Sequence, residues 1–353
     1  MTPRAATTPA DPETLHPGLS LLLLVLLVGA GMCLGLFLGA VVIWLGYGVD
    51  IRELPQLLVA PKRYPQAWAV LMWVQGLQLL GFGAAYLLPV LRGLSPREYF
   101  TPRRPVPTLW LLAAALLVVV SVPVMSVLIA WNAHLELPAF LYDFYRDARL
   151  KEDAAQQLTS FLTRFTSPQR LLVALLVIAV VPAVMEELVF RGVLLRQLAR
   201  WTKSVHWGVW LSAIVFSYVH QQFFGFFPRM VLGAVLGYLF VWSGNLWVSI
   251  AAHFVQNAFQ LVLLYMQQRG NIQFDADANE ALPWPLALGS ALLTAALLYW
   301  LHRQRVLAPA APQEAHTLTS QGVLIRQPDV PPVAGHTLTS HGIEAPGADK
   351  PRA

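Results

Sequence analysis

The chain has 353 residues, of which 56% are hydrophobic and 12% charged, with a formal net charge of +5. Soluble domains carry about 45–50% apolar and about 25% charged residues, so a water-soluble globule is excluded and an integral membrane protein is implied. The basic residues are scattered over many connections without a dense run, which leaves no nucleic-acid signal and makes the lipid bilayer the chain's surroundings.

The opening stretch, MTPRAATTPADPETLHPG, holds one basic and two acidic residues before an apolar run too long for a secretory signal, so the first apolar block is expected to stay in the mature chain. Eight apolar blocks follow, at 19–46, 66–91, 108–132, 169–198, 207–224, 228–244, 246–267 and 283–302. About 20 such residues carry a helix across the ~30 Å hydrocarbon layer. The fold expected is therefore an all-α membrane protein, a polytopic bundle of about eight transmembrane helices. The bias of Lys and Arg in the short connections puts both termini on the cytoplasmic side of a multi-pass cell-membrane protein.

Four regions are expected. Residues 1–132 form a scaffold of three spans whose only ionisable groups are tyrosines and Cys33, the single cysteine, read as a packing residue. Residues 133–167 are a connection with Ala154, Leu158, Phe161, Leu162 and Phe165 at helical spacing opposite a charged face. That pattern predicts an amphipathic helix, lying on the membrane surface or packed on the protein's own loops. Residues 168–302 are the membrane core that carries any chemistry. Residues 303–353 form a polar, Pro-rich tail expected to be disordered. The tail repeats HTLTSQG (316–322) as HTLTSHG (336–342), too few copies for a solenoid, and its His316, His336 and His341 carry no ligand pattern.

Between Ser167 and Gly270 the only acids are the adjacent Glu186 and Glu187, and the only histidines are His206, His220 and His253. Ionisable groups at membrane depth turn to a bundle interior or a wet cavity and pair there. Four helical residues advance about 400°, so Glu187 and Arg191 share a face and can neutralise each other, with the acid on the N-terminal side. Glu186 stands about 100° round the helix and is left to face a cavity. Phe216 and His220 share a face by the same spacing, as do His253 and Asn257. Each pair has an ordinary reading: an interhelical salt bridge, a satisfied interior histidine, an interhelical hydrogen bond, or an arginine snorkelling to the interface. Their succession on neighbouring apolar helices is hard to obtain from independent packing.

The segments EELVFR (186–191), FSYVH (216–220) and HFVQN (253–257), with GNLWVSIAAH leading into the last, resemble the CAAX-protease and bacteriocin-processing (CPBP) intramembrane proteases, also described as abortive-infection-like membrane proteins. The likeness is close over 180–260 and loose over 168–268, and no motif position departs from the family pattern. The resemblance implies endoproteolysis of a membrane-associated peptide or protein by a helical bundle around a water-accessible cavity. It implies Glu186 as the base that activates water, His220 as its positioning partner, and His253 with Asn257 as the oxyanion hole. Arg191 would hold the glutamates through Glu187, and Phe216 would support the site.

The residue chemistry runs parallel to this. Two glutamates and one arginine leave one acid uncompensated, a candidate general base, while an amide and an imidazole can stabilise an oxyanion. A serine nucleophile lacks support: Ser217 and His220 are on different faces, and Ser249, four residues before His253, has no acidic orienter. Glu186, His220 and His253 also make the donor set of many hydrolytic zinc sites, though His-Glu-x-x-His spacing is absent, so the cofactor stays open between none and a divalent metal such as zinc. The alternative function is a non-catalytic membrane binding or maturation factor using the same cavity. Transport has less support, because the chain shows no inverted repeat.

Overall fold

The computed structural model describes residues 15–100, 106–272, 280–305, 316–318 and 324–326. The chain divides into two compact units, Met1–Val306 and Leu307–Ala353. In the second, β1 (His316–Leu318) pairs antiparallel with β2 (Leu324–Arg326), with Thr317 opposite Ile325. The remainder of the tail beyond Arg305, including the second repeat with His336 and His341, lies outside the described residues.

Every regular element among the first unit's described residues is a helix. Its main rods are α1 (Pro17–Tyr47), α2 (Ala67–Leu91), α3 (Thr108–Val120), α4 (Val122–Ala133), α5 (Tyr142–Leu162), α6 (Pro168–Thr202), α7 (Val205–Tyr218), α8 (Phe226–Ser243), α9 (Leu246–Gln268) and α10 (Trp284–Arg303). Short helical turns fill several of the connections.

Among the described residues six helices are long and apolar enough to cross a bilayer, and α3 with α4 would make a seventh. The expectation of about eight is corrected at two places. The block at 108–132 breaks at Ser121 into α3 and α4, bent by 45°. There the Ser121 hydroxyl donates back to Val118 O, and Pro123 has no N–H to continue the ladder. Ser290 of α10 plugs the break, donating to Val120 O at 2.6 Å and accepting from Val124 N at 3.1 Å. The block at 207–224 holds α7, only 14 residues and about 21 Å long, because the chain turns through His220 and Gln221.

Helix contacts follow from small residues and from the lipid-like solvent. Gly31 and Gly35, one turn apart on α1, let its backbone touch that of α2 at Gly81 and Leu77, where any Cβ would collide. The remaining surface of α1 is exposed leucine, valine and phenylalanine, an aggregation hazard in water but a natural lipid face. Cys33 belongs to that exposed face and is not the packing residue expected.

Of the two readings of the amphipathic connection, the structure favours packing on the protein itself. Leu162 and Phe165 are buried in a cluster with Ile43, Leu71 and Leu261, and Leu158 and Phe161 pack beside them. Trp68 and Gln268 donate to the carbonyls of Leu162 and Thr163, fixing the C-terminal end of α5. Ala154 of the predicted stripe is exposed.

Candidate active site

The site is built outward from α6, which is wound irregularly where it matters. Leu175–Val180 and Leu188–Leu194 are π-helical, and the α-helical turns between them, Val181–Glu187, end on the two glutamates. Wide turns of this kind rotate the face that a helix presents and recur at functional sites. Both glutamates are buried, Glu187 completely.

Glu187 is the hub. Its Oε1 pairs with the Arg191 guanidinium and also accepts from His253 Nδ1 at 2.9 Å. Arg191 in turn donates from Nη2 to Gly233 O on α8 at 2.8 Å and lies 5.0 Å from the Phe216 ring of α7. One buried ion pair thereby joins α6, α7, α8 and α9. Gly233 permits the approach, since a Cβ there would press on Ala213 and Phe216 at 3.2 Å.

A carboxylate only accepts hydrogen bonds, so the Glu187 contact fixes a proton on His253 Nδ1. The other nitrogen, Nε2, faces Glu186 Oε2 at 3.9 Å, beyond direct hydrogen-bond reach. His253 therefore stands between the two acids, each addressing a different ring nitrogen. His220 is oriented in the same manner: its Nδ1 donates to Phe216 O at 2.8 Å, which leaves Nε2 for other partners. The Phe216 ring stands edge-on to both imidazoles, 5.1 Å from His220 and 5.9 Å from His253. Asn257, one turn beyond His253, donates to Ile178 O at 3.3 Å, in the first π-helical stretch of α6.

Glu186, Phe216, His220, His253 and Asn257 line one cavity of about 650 Å³. Glu187 and Arg191 stand behind that wall. The opposite side is largely apolar, drawn from α3, α4, α8 and α10, so the helices read as scaffold also shape the cavity. Arg149 and Glu152 of α5 and Arg229 of α8 line it too, and the sequence reading missed them. A signal existed for Arg229, a charge in an otherwise apolar helix, but its place near the start of α8 makes it look like a loop residue.

Among the described residues no three His, Cys, Asp or Glu side chains are close enough to hold a metal ion, so Glu186, His220 and His253 do not make a ligand set as arranged. The acid that His253 was expected to lack is present as Glu187. Ser249 instead turns away from such a role, being fully buried with its hydroxyl donating to Leu246 O at 3.0 Å. His206 pairs with Tyr238 at 2.9 Å and is not among the lining residues.

Residues 168–259, from the start of α6 to well inside α9, match the Type II CAAX prenyl endopeptidase Rce1-like family. That segment is similar to this family, and all the site residues of α6, α7 and α9 fall within it. Over 77 residues the chain is also 31% identical to the uncharacterized protein YpbD of Bacillus subtilis (strain 168), a match covering 21% of this chain and 36% of that protein. The chain thus matches about a third of that curated relative's length. No solved structure matches it.

Proposed function

We propose that the protein is an intramembrane endopeptidase that hydrolyses a peptide bond of a membrane-associated protein or peptide with water activated by Glu186. The observation that carries this reading is the convergence of Glu186, His220, His253 and Asn257, from three separate elements, on one cavity. The endopeptidase character of the family matched by residues 168–259 supports it.

The charge balance supplies the mechanism. In this mechanism His253 acts with a proton on each nitrogen, Nδ1–H held by Glu187 and Nε2–H facing the cavity. Glu186, Glu187, Arg191 and His253 then sum to no net charge, the state that burial favours. Water held between Glu186 and His220 Nε2 gives a proton to Glu186 as its oxygen bonds to the substrate carbonyl carbon. The negative charge moves from Glu186 to the new oxyanion, where His253 Nε2–H and the Asn257 amide donate to it. The site stays neutral throughout. The C–N bond then breaks, the amine leaves with the proton from Glu186, and a carboxylic acid product remains, which passes its proton to the departing amine.

Both termini are placed on the cytoplasmic side, as the basic residues of the short connections favour.

The test is cleavage of a membrane-anchored peptide library by the purified full chain in lipid bilayers, comparing wild type with Glu186→Ala, His220→Ala and His253→Ala. Cleavage by wild type and its loss in all three variants is expected. Identical behaviour of the four proteins would overturn the reading.

A further inference from the structure

His220 is carried by a turn, not by a helix, and the turn needs outside support. Gln221 has φ +55°, a left-handed conformation that a residue with a side chain adopts only when its surroundings impose it. The next residue, Gln222, provides the attachment. Its Nε2 donates to Glu152 Oε1 of α5 at 3.1 Å, while its Oε1 accepts from Arg229 Nη2 of α8. Arg229 Nη1 also reaches the Gln222 carbonyl oxygen at 3.5 Å. An acid at the NH₂ end and a base at the C=O end allow the amide one orientation only. Gly225 completes the arrangement, because a Cβ there would occupy the space of the Arg229 guanidinium.

The same turn is gripped by aromatic contacts. Phe223 meets Phe144, Phe224 meets Tyr145, and the Arg149 guanidinium lies 3.5 Å from the Phe224 ring. The charged face of α5 is thus directed at the turn that bears His220.

From these contacts we propose that Glu152, Gln222 and Arg229 are positioning residues that hold His220 at its working place in the cavity. This makes α5, outside the family-matched segment, part of the apparatus. The effect on turnover rests on the endopeptidase reading, whereas the effect on the turn does not.

The test uses the full chain in bilayers, the membrane-anchored peptide library, and backbone hydrogen exchange over residues 219–225. Gln222→Glu sets a carboxylate against Glu152; it is expected to speed exchange in the turn and to lower kcat by on the order of tenfold to a hundredfold with little change in KM. The double variant E152Q/Q222E exchanges the amide and the acid, keeps an acidic partner for Arg229, and is expected to restore both. A structural defect alone would not be rescued by that exchange. Wild-type exchange in the Q222E variant, or a double variant no better than Q222E, would overturn the proposal. If wild type cleaves nothing, the endopeptidase reading fails, and the exchange data still decide whether the clamp holds the turn.

Discussion

His253 Nδ1 lies 2.9 Å from Glu187 Oε1, and the other nitrogen of the same ring faces Glu186. A single imidazole therefore links an acid bound to arginine with an acid open to the cavity. The two adjacent glutamates consequently have different work, and replacing each should give a different phenotype.

Glu186→Gln keeps the shape of the side chain and removes its capacity to take a proton. We expect turnover to fall by at least about 10²-fold, the lower end of what general-base catalysis supplies, with thermal unfolding near that of wild type. Peptide cleavage and a melting curve on one preparation check this, and a Gln variant that still turns over would remove Glu186 from the role of base.

Arg191→Ala should act on stability first. It leaves Glu187 buried beside one partner fewer, and breaking a buried pair from one side costs about 3–5 kcal/mol. The double variant Glu187→Gln with Arg191→Met should lose less than Arg191→Ala alone, because no charge is left stranded. Denaturant titration in detergent reads both; a double variant weaker than the single would argue against the pairing as drawn.

Asn257→Ala removes one proposed oxyanion donor. The expected outcome is a kcat lower by about 10²–10³-fold with KM little changed, as for other oxyanion donors. Its contact to Ile178 O is long, at 3.3 Å, so the melting temperature should move little. A rise in KM at constant kcat would assign Asn257 to ground-state binding instead.

Treatment with a strong chelator, followed by dialysis, should leave cleavage unchanged, since the described side chains do not gather three metal donors. Loss of activity that added zinc restores would mean that Glu186, His220 and His253 close on a metal in the working enzyme.

Much of the site was legible from cost. A glutamate pair, an arginine and two deep histidines stand out in apolar helices because ionisable groups are rare there, and helical spacing correctly joined Glu187 to Arg191. The contact between His253 and Glu187 was not legible, because it depends on how α9 docks against the π-helical stretches of α6. Hydropathy also overcounted the helices that can cross alone, since it weighs apolar residues and is blind to the turn at Gln221 and the break at Ser121. The stripe Leu158, Phe161, Leu162 and Phe165 was visible, whereas its partner, lipid or protein, depended on residues far along the chain.

The break at Ser121 and the inward charged face of α5 mean that the cavity is walled partly by residues that precede Pro168. A protein trimmed to the family-matched segment would be an open trough, with its reactive groups in place and one bank missing. On the endopeptidase reading, the choice of bond to cut would then be set partly upstream, in α3 to α5, apart from the proposed hydrolytic groups.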